Sequence, residues 1–134
     1  MKRKKSKLPK KPNEKSLKRK LDALHSIAVR KGAADSRGYI TCYCGVSIPW
    51  QEADCSHYIY RSCLNLRYDF RNTHPSCRRC NRFMGGNLAA YALFLERKYG
   101  TGILQTLEQE KHKIVKNFPY LEESEKRKKL IQEL

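Results

Sequence analysis

The sequence has no run of about twenty apolar residues, so no segment is suited to cross a bilayer as a helix. It is also short of acids: 13 Asp and Glu stand against 29 Lys and Arg, for a formal net charge of +16. That imbalance favours a polyanionic partner over plain solubility, and nucleic acid over a membrane surface. No apolar stretch follows the basic opening, so a secretory leader is not expected. The end, Ile131-Gln132-Glu133-Leu134, carries no lipidation box. With nothing pointing to export, the six cysteines are not expected to form a disulfide framework. Internal repeats are absent, and 134 residues suit one domain.

What is present is unevenly spread. The first twenty residues hold eleven Lys or Arg and one acid, Glu14. Residues 1–13, with Pro9 and Pro12, read as a disordered basic tail. The basic excess continues at Arg61, Arg67, Arg71, Arg78, Arg79 and Arg82. Leu17, Leu21, Leu24 and Ala28 recur at helical spacing, which predicts a helix from Ser16 to about Arg30, stopped by Gly32. Gly38 to Gly45 reads as a short strand running into a tight knuckle, and Asp54 to Tyr60 as another strand. Residues 62–74 look loop-like. Pro75 fits the first turn of a helix that carries Cys77 and Cys80 and ends at Gly85-Gly86. Asn87 is placed to cap a helix with Leu88, Tyr91, Leu95 and Tyr99 on one packing face. A further helix is expected from Ile103 to Phe118, then a charged one from Leu121 onward. The class is α+β, divided into the tail at 1–13, a core at 14–100 and a helical extension at 101–134.

Two cysteine pairs carry the first chemical signal. Cys42-x-Cys44 lies on the knuckle and Cys77-x-x-Cys80 on a helix start. Cysteines at i and i+3 share a helix face, so both thiolates can reach one ion. Zinc favours four ligands in a tetrahedron and accepts thiolate readily. Four cysteines leave no open position, so such a zinc would be structural. The first pair is tighter than the usual spacing, and Cys55 could replace one of its members. Otherwise Cys55 and Cys63 read as small buried apolar groups.

Chemistry must then come from a second site. Asn81 follows Cys80 directly, and Asp54-Cys55-Ser56-His57 lies on the strand after the knuckle. Strand, His-bearing hairpin, Asn-bearing loop and metal-binding helix resemble the ββα-metal unit of HNH (His-Me finger) nucleases. From Leu21 to Gly102 the chain further resembles the lambdoid phage NinG/Rap recombination endonuclease family. The residues that carry this are Ala28-Val29-Arg30-Lys31, Asp54-x-x-His57-Tyr58-x-x-Arg61, Leu66-Arg67-Tyr68-Asp69 and Asn72. They are followed by Cys77-x-x-Cys80-Asn81, Gly86-Asn87, Tyr91 and Lys98-Tyr99-Gly100. The resemblance implies a small zinc-stapled ββα-metal core flanked by an N-terminal helix and C-terminal helices. It also implies an endonuclease of phage recombination, cutting branched DNA such as Holliday junctions or flaps in the cytoplasm of a bacterial host. His57 would be its catalytic base, Asn81 its metal-side Asn and Asn72 its loop Asn. Two departures stand out. The knuckle is Cys-x-Cys where relatives have Cys-x-x-Cys, and Ser56 stands where many HNH enzymes have an acid. The carboxylate must then be Asp54, which reaches the ion only if the strand bulges or bends, or else orients the imidazole.

The residue types suit such a reaction. A neutral His takes a proton from water near pH 7. Asp54 and Asn81 are oxygen donors for Mg²⁺ or Mn²⁺, Arg61 can clamp a phosphate, and Asn72 can brace its loop through backbone hydrogen bonds. His25, His74 and His112 read as surface or satisfied core histidines, and Trp50 as core. A two-fold homodimer would match paired incisions, with the C-terminal helices as its interface and a phage recombinase as a further partner. Two other readings fit the same residues: a sequence-specific or nonspecific HNH nuclease, and a zinc-dependent DNA-binding protein without catalysis.

Overall fold

The computed structural model describes residues 13–134; the basic tail, apart from Asn13, lies outside the described residues. Asn13 itself is ordered. Its side chain accepts a hydrogen bond from the Ser16 amide at 2.8 Å and so caps the first helix, α1, Glu14–Gly32. The helix is longer at both ends than its apolar spacing predicts. The stripe is the expected one, with Leu21 and Ala28 buried, but His25 and Val29 are buried beside them.

Strands β1 (Tyr39–Thr41) and β2 (Ser47–Pro49) form an antiparallel hairpin around the knuckle. Gly45, at φ +99°, makes the tight turn that an L side chain would resist. A short 3₁₀ turn, Trp50–Glu52, leads into β3, Asp54–His57, which pairs antiparallel with β4, Thr73–Ser76. Between them lies one helical turn, α2, Leu64–Arg67. Residues 62–74 are therefore not simply loop, and Pro75 sits within β4 rather than in a helix. A proline is tolerated there because β4 is an edge strand of a two-stranded sheet.

After β4 the chain makes a single wide π-helical turn, Arg79–Phe83, closed by the Met84 amide on the Arg79 carbonyl at 3.0 Å. Three residues with positive φ follow, Gly85, Gly86 and Asn87. Asn87 does not cap the next helix through its side chain as expected. Its left-handed backbone turns the amide group back, to 3.4 Å from the Cys80 sulfur. Helices α3 (Leu88–Tyr99) and α4 (Ile103–Glu110) pack together. Helix α4 stops eight residues short of Phe118, and Ile114 stands exposed beyond it. Helix α5, Tyr120–Gln132, returns to lie along α1.

Two clusters result. One gathers Cys42, Tyr43, Leu66, Cys77, Cys80, Tyr91, Leu95 and Leu107 under α3 and α4. The other joins Leu21, Tyr68 and Tyr120 between α1 and α5. The fold is α+β, with two small antiparallel sheets. Among the described residues, no helix is long and apolar enough to cross a membrane.

Candidate functional site

The sulfur atoms of Cys42, Cys44, Cys77 and Cys80 lie within 4.8 Å of one another. A tetrahedral zinc with bonds of about 2.3 Å would set its sulfurs about 3.8 Å apart. Cys44 and Cys77 are 3.8 Å apart. None of the four forms a disulfide. The cluster fits a structural zinc ion, and its members are the two pairs marked by spacing. Cys55 is not among them: it lies on β3 and faces a cleft instead. Burial pushes the thiols of Cys42 and Cys55 up to about 12. Only Cys42 has neighbouring sulfurs with which to share a metal, and binding one would release its proton. The centre ties the β1–β2 knuckle to the chain leaving β4, and so fixes the hairpin on which His57 sits.

That cleft, of about 430 Å³, runs along the unpaired edge of β3. One wall is α1, through Asp22, His25 and Ser26; the other is the π turn, through Asn81, Arg82, Gly85 and Gly86. Asp54, Cys55 and His57 rise from the strand, and Arg61 and Arg67 close one end. The β3–β4 register is continuous, with no bulge. Asp54 and His57 share the cleft because it wraps around a free strand edge and takes side chains from both faces.

His57 is held through Nε2, which lies 2.9 Å from the carbonyl oxygen of Arg67. A carbonyl only accepts, so Nε2 carries the hydrogen and a neutral ring keeps its lone pair on Nδ1. Burial drives the ring's pKa down to about 4; the Arg67 carbonyl opposes this, and the charges of Arg61 and Arg67 add to it. The imidazole is therefore neutral near pH 7.

Asp54 is half-buried. Burial alone would raise its pKa, but Arg82, Asn81 and the Arg82 charge more than offset that and hold it below the usual carboxylate range. Arg82 binds both carboxylate oxygens, at 2.8 and 3.0 Å, and Asn81 Nδ2 donates to one at 3.1 Å. Ser56, at the position where an acid was a family expectation, donates to Asn81 Oδ1 at 2.9 Å and so orients that amide. Asn72 lies outside the cleft and fully buried. Its Oδ1 accepts from the Ile59 amide at 2.7 Å, and its Nδ2 donates to the carbonyls of Ile59 and Leu66. These bonds shape the loop that brings Arg67 under His57.

Sequence reasoning missed Asp22. Its carboxylate accepts from Arg67 at 2.8 and 2.6 Å, from Tyr68 at 2.8 Å and from Arg61 at 3.2 Å. Arg61, expected to clamp phosphate, thus pairs with Asp22 while remaining exposed. The only available signal was an acid next to the apolar stripe of a very basic helix. Arg127 was missed as well. It is buried, pairs with Glu123 at 3.0 Å, and donates to His25 Nδ1 at 3.1 Å and to the Tyr68 carbonyl at 2.9 Å. His25 then donates from Nε2 to Thr73, bracing the α1 wall against β4.

Fold and site together define a small α+β protein with a four-cysteine centre able to hold zinc beside an arginine-rimmed cleft. It belongs to a phage family: the family described as Bacteriophage Lambda NinG protein matches residues 1–133. No curated protein and no solved structure matches the chain.

Proposed function

We propose that the protein is a metal-dependent DNA endonuclease of the HNH (His-Me finger) type, acting on branched DNA in phage recombination inside the bacterial host. The observation that carries this reading is the state of His57. It is a neutral imidazole, fixed through Nε2, with no hydrogen bond to Nδ1 among the described residues, and it lines a cleft that also holds a carboxylate and an amide. Such a nitrogen takes a proton from an attacking water. The Arg67 carbonyl stabilises the imidazolium that results, and His57 returns the proton to solvent. Arg61 and Arg82, both exposed at the rim, bind phosphate oxygens and set the backbone across the cleft. Asp54 and Asn81 would hold Mg²⁺ or Mn²⁺, which when bound neutralises charge on the scissile phosphate and the leaving oxygen. The ionised state of Asp54 and the oriented Asn81 amide suit that donor set.

One observation favours a second reading, a zinc-dependent DNA-binding protein without catalysis. Both Asp54 oxygens are already engaged, and a divalent cation must displace Arg82. One comparison separates the two. In Mg²⁺, the wild type should nick DNA, and His57→Ala should cut about 10²–10⁴-fold more slowly while binding it equally well. Indistinguishable behaviour of the two proteins would leave only the binding reading. Running linear duplex, flaps and four-way junctions side by side tests the branched-DNA preference.

A further inference from the structure

The π turn exposes something that neither the zinc centre nor the cleft uses. Phe83 is 82 % exposed, Met84 next to it is 46 % exposed, and Leu88 at the start of α3 is 48 % exposed. Most of the burial energy of a large aromatic is thus left unclaimed, and as part of a patch rather than as a lone surface residue. The patch sits among cations. Arg79 and Arg82 share the π turn with Phe83 and Arg78 immediately precedes it, all exposed, and Arg78 and Arg79 pair with no acid among the described residues.

The turn is also stiff. Cys80 belongs to the sulfur cluster, and the Gly86 amide binds the Cys80 carbonyl at 2.9 Å. The Asn87 amide binds the Met84 carbonyl at 2.8 Å, and the Tyr43 hydroxyl donates to the Gly86 carbonyl at 2.5 Å. Phe83 therefore stands on a braced platform. Arg82, just before the ring, and Gly85, two residues after it, line the cleft, which puts Phe83 at its rim.

We infer that Phe83, with Met84 beside it, is a wedge that stacks on an exposed nucleobase face where DNA leaves the cleft, while Arg78 and Arg79 bind the flanking phosphates. An apolar partner alone would not need the two unpaired arginines, and a duplex phosphate backbone alone would not need the ring. A base face flanked by phosphates uses both. Such faces are accessible at branch points, nicks and unpaired ends and are covered in an intact duplex. The wedge rests on the nucleic-acid part of the proposed function and is independent of cleavage.

The test uses the zinc-loaded full chain without Mg²⁺, a four-way junction with 2-aminopurine at its branch point, and a linear duplex of equal length. The wild type should raise 2-aminopurine fluorescence on the junction, reporting unstacking. Phe83→Ala should abolish that rise and weaken junction binding about tenfold or more, with duplex binding changed by less than about twofold. Phe83→Trp should preserve both signals. Arg78→Ala combined with Arg79→Ala should weaken both DNAs alike and flatten the salt dependence. Zinc content should stay constant throughout, because the ring packs on little.

Unchanged fluorescence and affinity in Phe83→Ala would overturn the wedge. So would equal losses on both DNAs, or loss of a dimer in sedimentation, which would make Phe83 a contact between copies of the chain. A wild type that cuts in Mg²⁺ but never unstacks the branch point ends the wedge and keeps the nuclease. Phe83-dependent unstacking without cleavage does the reverse.

Discussion

The two sides of the cleft are held by different physics. On the π-turn side, four sulfurs and a packed layer of Tyr43, Tyr91 and Leu95 meet around the β1–β2 knuckle. On the α1 side, the apolar contact is small and much of the joining is polar. Asp22 holds Arg67 and Tyr68, while Arg127 bridges Glu123, His25 and the Tyr68 carbonyl. A metal staple is nearly all-or-none, because without the ion its thiols are merely crowded. A buried polar network weakens piece by piece, and it responds to pH. His57 sits between the two, on a strand fixed by the first and with a ring oriented from a loop fixed by the second.

Three perturbations would break or sharpen this contrast. The largest effect is expected from zinc removal. Chelation, or Cys80→Ser, should unfold the π-turn side, with the metal contributing on the order of 10 kcal/mol; Cys55→Ser should keep its zinc. Metal analysis with circular dichroism checks this, and an apo protein that melts like the loaded one would refute the staple. A smaller loss should follow Arg127→Met, which leaves the buried His25 Nδ1 and Tyr68 carbonyl without their donor and Glu123 with Lys126 alone. About 3 kcal/mol of stability should go, read from urea unfolding, with zinc fully retained. An unchanged midpoint would mean that the α1 side does not depend on this network.

Per imidazole and per pH unit, the smallest effect is graded. Burial holds His25, His57 and His74 at about 3, 4 and 3, all below the unfolded value near 6.5. The unfolded chain therefore binds more protons than the folded one once pH falls below about 6.5. Stability should be level above that pH and decline as it drops toward 4, by at most about 1.4 kcal/mol per unit for each imidazole. Urea midpoints across that range test the sign. His25→Gln should remove one proton from the slope on the α1 side, and His74→Gln one on the other.

The two sides were unequally legible in the sequence. Cysteine spacing marks the metal centre, with Cys55 left open as a substitute for one ligand, because ligand geometry imposes that spacing. His57, Asp54, Asn81 and Arg61 were within reach through their place beside the cysteines and through the family resemblance, and the structure gathers all four at one cleft. What escaped was polar burial. Thr73-His74-Pro75-Ser76 shows no alternation of apolar and polar residues and contains a proline, yet every residue of β4 is buried. Its side chains are satisfied by partners far along the chain, such as Tyr91 and Tyr99 for His74. Asp22 and Arg127 look like solvated charges on charged helices because their partners, too, are distant. Helix α4 was overextended since Ile114 and Phe118 keep the period after the helix has stopped.

The bond from Arg127 to His25 spans 102 positions. During synthesis α1 leaves the ribosome long before the segment that will brace it, whereas the last cysteine of the metal centre emerges well before Arg127. The sulfur-bound half can close while the opposite wall still waits for its support. In a growing chain, all four sulfurs of the centre are therefore present some forty-seven positions before the arginine that braces the opposite wall.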